Sequence, residues 1–377
     1  MSSTPVLFQP IRVGEVELQH RVVFAPSTRF RVNEAHVPLP IVAQYYAQRG
    51  SAKGTLLIAE AAFIAEKAGG FRNVPGIWTP EQIASWKTVT DAVHAQGSFI
   101  YLQLWALGRS AYVSHLAPGD PYVSSSPKKL ETVFHQYADP RPDDIPREMT
   151  VEEIKEYSKL FATAASNAVH KTGFDGVEMH GANGYLLEQF MMDSINERTD
   201  SYGGSVENCA RFTLEVVDAV ANAVGAKRTA ICLSPWNTKQ GSGMHDRKPT
   251  YGHVVREILT RHPDLSYIHV VEPPEDVDPL HVSSERPSND FIREIWGAGG
   301  YTRQNAIRAA AEKGDLIAFS RAFIANPDLP CRLVHDIPLV KGDGSKYYVY
   351  GSDDSSGYTD YKFHFTHLAN KAVAVSA

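Results

Sequence analysis

Along its 377 residues the chain alternates short apolar runs, rich in β-branched residues, with longer segments of helical period. Eight such runs lie at 21–25, 55–60, 98–104, 176–180, 229–234, 267–271, 295–298 and 316–319. Each is short enough to be a strand covered on both faces. Strands joined through helices run parallel, because the helix carries the chain back before the next strand begins. Eight repeats let the sheet close on itself, so the pattern predicts an α/β fold, a (β/α)8 barrel, over one domain from 1 to 377. Helices are predicted at 39–49, 80–96, 151–171, 205–223, 251–261, 303–313 and 328–335. The third is the plainest: Thr150 and Glu153 make a capping box, and Ile154, Tyr157, Phe161, Ala165 and Val169 then line one face up to Gly173.

Two segments fall outside this rhythm. Residues 105–147, with many Pro, Ser, Asp and Gly, are too long for a simple strand-to-helix connection and are expected to form a lid or subdomain over the barrel mouth. The tail, 341–377, is expected to be an ordered extension because its tyrosines favour burial.

A formal net charge of -6, a pI near 6.2 and no basic run beyond Lys128-Lys129 argue against a nucleic-acid partner. No stretch of about eighteen apolar residues is present to span a membrane, and the first residues lack a signal-peptide pattern, so a cytoplasmic protein is expected. Cys209, Cys232 and Cys331 are too few and too scattered for a disulfide framework. Fifteen histidines form no HExxH or Cys/His motif, so no metal is expected. The oligomeric state is left open between monomer and homodimer.

Reactive groups in such a barrel sit where strands end, and polar residues collect there: Pro26-Ser27-Thr28, Glu60, Gln103, His180 with Asn183, Gly299-Gly300 and Arg321. Two donors three residues apart, His180 and Asn183, can hold one carbonyl oxygen and so draw electrons from a conjugated β-carbon; equally, they can anchor a turn. The backbone N–H groups of Gly299 and Gly300, with the forked cation of Arg321, suit a phosphate. The glycines lack the third member of a dinucleotide fingerprint, which excludes a Rossmann domain.

Six segments carry a closer resemblance: RVVFAPSTR (21–29), VPGIWTPE (74–81), QLWALG (103–108), HGANGYLLEQ (180–189), RTDSYGGSVE (198–207) and SRAFIANPDL (320–329). In this order they resemble the old yellow enzyme family over nearly the whole chain. The resemblance implies an FMN-dependent ene-reductase that takes hydride from NAD(P)H and reduces the C=C bond of an enone or enal, in the manner of fungal-type secondary metabolism. It implies that His180 and Asn183 grip the substrate oxygen and that Tyr185 gives a proton to the α-carbon. By itself Tyr185 reads as packing for a helix start. The resemblance also places Pro26, Thr28, Ala61, Gln103, Cys232, Gly299, Gly300, Ser320 and Arg321 around FMN. Thr28 is similar to a hydroxyl that bonds a ring carbonyl, and Gln103 to an amide that reads the pyrimidine edge. Trp105, Leu280 and Tyr348 correspond to positions that shape the substrate pocket.

Several positions depart from the family pattern: Cys209 stands on a helix where the family usually has arginine, Ser320 and Leu280 are milder changes, and Cys232 matters most. Where the family has an arginine beside flavin N1 and O2, this chain has Cys232. A charge-assisted hydrogen bond there contributes roughly 1.5–3 kcal/mol. Its absence leaves three outcomes: a flavin held more weakly at a lower potential, another cation in its place, or a site that has left redox chemistry. Two other functions therefore stand beside the reductase, namely a redox-neutral isomerase or cyclase acting on a carbonyl compound, and a flavin-free ligand-binding barrel.

Overall fold

The structure is a computed structural model that describes residues 4–130, 144–273, 288–293 and 303–369. Seven of the eight apolar runs are strands of one parallel sheet: β1 (Val22–Phe24), β2 (Leu56–Phe63), β3 (Phe99–Trp105), β4 (Gly176–Gly181), β5 (Thr229–Leu233), β6 (Tyr267–Val270) and β7 (Ile317–Phe319). Their spatial order is β6-β5-β4-β3-β2-β1-β7. Chain order and spatial order coincide from β1 to β6, and β7 joins the far side of β1, as in a (β/α)8 barrel. The strand expected at 295–298, which would fall between β6 and β7, lies outside the described residues.

The register of the sheet prepares the site. His180 of β4 pairs with Cys232 of β5, and Cys232 pairs with His269 of β6, so the three stand at one level. Residues two apart on a strand share a face, which puts Glu178 beneath His180 on the same side of β4. Both are buried, in a strand whose every residue is buried.

Helices cover the outside: α1 (Ile41–Arg49), α2 (Pro80–His94), α3 (Val151–Ser166), α4 (Leu186–Met191), α5 (Val206–Val224), α6 (Lys248–Arg261), α7 (Asp290–Arg293), α8 (Arg303–Lys313), α9 (Arg321–Ala325) and α10 (Leu329–Val334). The capping box of α3 forms, with the Glu153 amide donating to Thr150 Oγ1 at 3.2 Å and the Thr150 amide to Glu153 Oε2 at 2.8 Å. Five residues of the predicted third helix, Asn167–Lys171, continue α3 as a π-helical turn. Strand β2 runs to Phe63, past the expected end at residue 60, because its last residues also find cover. Three short helices, α4, α7 and α9, were not expected. Of these, α4 and α9 start directly after Tyr185 and Ser320, at the mouth of the barrel.

The described part of the insertion forms single 3-10 turns at Gly108–Ser110 and Val113–His115 and a small parallel pair, Val123–Ser124 with Arg147–Glu148. Arg109 ties it to the opposite rim by donating to the Gln240 carbonyl at 2.8 Å. The C-terminal extension is held by two buried arginines. Arg29 donates to the carbonyls of Tyr347 and Gly357, and Arg31 to that of Ser352. Tyr347 and Tyr358 are buried there, whereas Tyr348 is 40% exposed and stands at the mouth. Among the described residues no helix is long and apolar enough to cross a membrane.

Candidate active site

At the C-terminal ends of the strands lies a cavity of about 610 Å³, within the size range of small-molecule and cofactor sites. Its wall draws Pro26 and Thr28 from the end of β1, Ala61 from β2, and Gln103 and Trp105 from β3. His180, Asn183 and Tyr185 come from β4 and the turn after it, and Cys232 comes from β5. Ser320 and Arg321 follow β7, and Tyr348 reaches in from the extension. The sequence thus brings twelve of its candidate residues to one cavity. Gly299, Gly300 and Leu280 lie outside the described residues.

His180, Trp105 and Tyr185 form a three-ring corner. The His180 imidazole lies nearly parallel to Trp105 at 5.8 Å and meets the Tyr185 ring edge-on at 4.9 Å; Trp105 and Tyr185 are perpendicular at 4.6 Å. Such packing removes rotamer freedom and fixes the imidazole plane. Burial, with the charge of nearby His269, pushes His180 down to about 3, so the ring is neutral at physiological pH. Its buried Nδ1 and the buried Trp105 Nε1 have no hydrogen-bond partner among the described residues, as expected of groups that await a ligand.

Asn183 adopts φ 58°, the left-handed region that Asn tolerates better than most residues. Its backbone is clamped on both sides: the amide donates to Ser234 Oγ at 2.8 Å, and the carbonyl accepts from Gln240 Nε2 at 2.7 Å. Behind the turn, the buried Glu188 carboxylate accepts from the Gly184 amide, Ser234 Oγ, Tyr251 Oη at 2.7 Å and Asn237 Nδ2 at 3.4 Å. Glu188 therefore positions the turn that carries Asn183 and Tyr185. Burial outweighs these hydrogen bonds and pushes its carboxyl up to about 7.

Glu60 is in the same condition: burial raises it to about 7, although the Arg29 amide donates to its Oε2. For a carboxyl raised above its unfolded value of 4.5, the folded state binds the proton more tightly. The associated stability is complete below pH 4.5 and is lost as pH rises through 7. Each group contributes up to roughly 3 kcal/mol to that decline. Glu60→Gln, which keeps an acceptor for the Arg29 amide, is expected to lose the Glu60 share, so its melting temperature rises relative to wild type between pH 5 and pH 8; a difference between the two proteins that does not change over this range contradicts the assignment.

The floor of the cavity is polar. Gln103 Nε2 donates to Glu178 Oε1 at 2.7 Å, which orients the amide and leaves its carbonyl oxygen as an acceptor for a ring N–H. His269 Nδ1 lies 3.2 Å from Glu178 Oε2. Glu178, Cys232 and His269 each bring one ligand-capable atom within 4.8 Å of the others. At the far side Ser27 Oγ and Ser320 Oγ are 2.6 Å apart, beside the exposed Arg321. An oriented amide oxygen, unpartnered buried donors and a rim cation match the needs of FMN, with its polar ring edge and phosphate.

Residues that motif reading passed over also belong to this site: Glu178, His269, Gln240, Tyr347 and the Glu188 network. The signal available for the first two was polar residues at alternate positions inside otherwise apolar runs, at matching depths of neighbouring strands.

The profile of the NADH:flavin oxidoreductase / NADH oxidase family matches residues 6–339. The chain is 46% identical over 374 residues to a chanoclavine-I aldehyde reductase of Penicillium roqueforti, covering 95% of this chain and 96% of that protein. It is 42% identical to the probable inactive reductase easA of Epichloe festucae var. lolii, over the full length of both. Among solved structures, the old yellow enzyme homologue of Zymomonas mobilis superposes with a TM-score of 0.86 at 36% identity, covering 95% of this chain and 99% of that one.

Proposed function

The chain belongs to the NADH:flavin oxidoreductase / NADH oxidase family as an old yellow enzyme, an FMN-dependent NAD(P)H oxidoreductase, and from that premise we propose that it reduces the activated C=C bond of a small α,β-unsaturated aldehyde or ketone. The observation that carries this reading is the three-ring corner beside the clamped Asn183 turn, all facing one cavity.

FMN, when bound, supplies the redox chemistry, accepting hydride from NAD(P)H and delivering it to the substrate β-carbon. The protein's own residues do the rest. Neutral His180 and the Asn183 carboxamide donate to the carbonyl oxygen and hold the negative charge that grows there. Tyr185, set edge-on against both neighbouring rings, gives its proton to the α-carbon. Gln103 and Thr28 face the cofactor's ring, while Ser320 and Arg321, with Gly299 and Gly300, take its phosphate. Trp105 and Tyr348 set the shape of the substrate space, together with Leu280. An aldehyde substrate accords with the name of the Penicillium roqueforti relative.

A second reading, redox-neutral isomerisation or cyclisation of a carbonyl compound in the same pocket, is favoured by Cys232 and by a full-length relative named as inactive. One experiment separates the two. The purified protein is mixed anaerobically with NADPH and then with a simple enone, while the flavin spectrum is followed. Bleaching by NADPH and recolouring by the enone are expected; turnover of an unsaturated carbonyl with no NADPH consumed selects the second reading.

A further inference from the structure

The floor of the cavity presents a charge problem. Glu178 is fully buried, and an unbalanced carboxylate there is strongly disfavoured. Gln103, which bonds one of its oxygens, is neutral. Among the described residues no lysine or arginine pairs with Glu178, and the position at which the resemblance calls for arginine is Cys232. Burial pushes the Cys232 thiol up, so it stays protonated and uncharged and cannot balance the carboxylate. The one remaining basic group in contact is His269, level with Cys232 on the neighbouring strand, its Nδ1 3.2 Å from Glu178 and its ring bonded to the thiol.

We propose that His269 replaces the missing arginine: anchored by Glu178 and Cys232, its protonated ring is the cation that faces the bound FMN from the cavity floor and offsets the negative charge of the reduced cofactor. The inference rests on the cavity being the FMN site. Every group facing His269 accords with it. Burial opposes its protonation; with the thiol uncharged, the Glu178 carboxylate 3.2 Å from Nδ1 is the charge that favours it and raises the imidazole. His180, level with it two strands away, is driven low by burial and then by the His269 charge. Tyr267, two residues before it on β6, is raised by burial and by Glu178, and stays neutral. Position 232 can therefore lose its guanidinium without leaving Glu178 unpaired, because the charge has moved one strand along.

The same trio resembles a metal set. Binding a metal would require the thiol and the imidazole to give up their protons, with Gln103 already occupying one carboxylate oxygen, so metal content is one arm of the test.

The test is a cycle of wild type, His269→Gln, Cys232→Arg and the double variant, each titrated with FMN by fluorescence quenching and measured for flavin midpoint potential and metal content. His269→Gln is expected to weaken FMN roughly ten- to hundredfold, the scale of one charge-assisted hydrogen bond, and to lower the potential. Cys232→Arg is expected to restore most of that loss in the His269→Gln background and to gain far less on its own. Wild-type affinity for FMN is expected to fall at alkaline pH as His269 deprotonates, and His269→Gln to lack that step. Unchanged affinity and potential in His269→Gln, an additive cycle, or stoichiometric zinc in the purified protein overturns the proposal. Should His269→Gln not fold, His269→Lys decides: retained affinity supports a cation requirement, and affinity lost from a folded His269→Lys protein counts against it. Wild-type protein that takes up no FMN sinks the reading of the cavity itself, which is a different failure.

Discussion

His180→Ala is expected to lower kcat/KM for an enone by a factor on the order of 10²–10³, the effect of removing one preorganised donor from a developing oxyanion. The donor is costly to lose because nothing described can replace it: Trp105 and Tyr185 pack the ring on two sides, and its Nδ1 is unpartnered among the described residues. Asn183→Ala is expected to be comparable, whereas the double variant falls well short of the product of the two, since both donors serve one oxygen. The loss belongs to the oxidative half-reaction with the enone; bleaching by NADPH persists. With the imidazole pKa pushed down to about 3, the rate is also expected to show no step from His180 between pH 5 and pH 8. Stopped-flow measurement of both half-reactions across that range checks the claim. A His180→Ala enzyme within threefold of wild type, or a step in the wild-type profile that vanishes with this substitution, refutes the assignment of His180 as a neutral oxygen clamp.

The two histidines on the cavity wall show how nearby positions come to opposite charge states. His180 and His269 stand at one level with Cys232 between them, His180 buried and His269 half-buried. His269 has a carboxylate at hydrogen-bond distance and His180 has none. Desolvation disfavours both cations; only the partnered one survives it. On the proposed reading the two half-reactions ask for a neutral donor beside the substrate oxygen and a fixed cation beneath the cofactor: burial sets the first and Glu178 the second.

That arrangement explains what was legible in the sequence. Strand cores were readable because residues buried on both faces give unbroken apolar runs, and the rim residues because a strand's end is where polarity returns. His180, Asn183 and Tyr185 were readable through their motif. His269 was not: it sits within an apolar run on β6, and only the register with Cys232 reveals that it stands beside the position where the family resemblance calls for arginine. Glu188 was hidden in the same way, since its role depends on Ser234, Asn237 and Tyr251, which are contributed by the loop after β5 and by α6. The short helices α4 and α9, of six and five residues, fall below the length at which helical period can be read. Tyr348 is exposed where the tail's composition favoured burial, because two arginines, not apolar packing alone, hold the extension in place.

Tyr185→Phe is expected to slow reoxidation of the reduced enzyme by an enone by roughly 10²–10⁴, the range for loss of a positioned general acid. The rate of flavin reduction by NADPH is expected to stay within about twofold of wild type, since no proton passes from Tyr185 in that half-reaction. The substitution isolates the proton because the rest of the side chain remains. The edge-on contacts with Trp105 at 4.6 Å and His180 at 4.9 Å are made by the ring, and the residue's backbone still leads into α4. Deuterium supplies the second readout. In D2O the wild type is expected to place one solvent deuteron at the α-carbon on a single face, and the variant's residual turnover to lose that facial selectivity as water becomes the donor. Rapid reoxidation of Tyr185→Phe with facial selectivity retained removes Tyr185 from the proton path and leaves it a packing residue at the start of a helix.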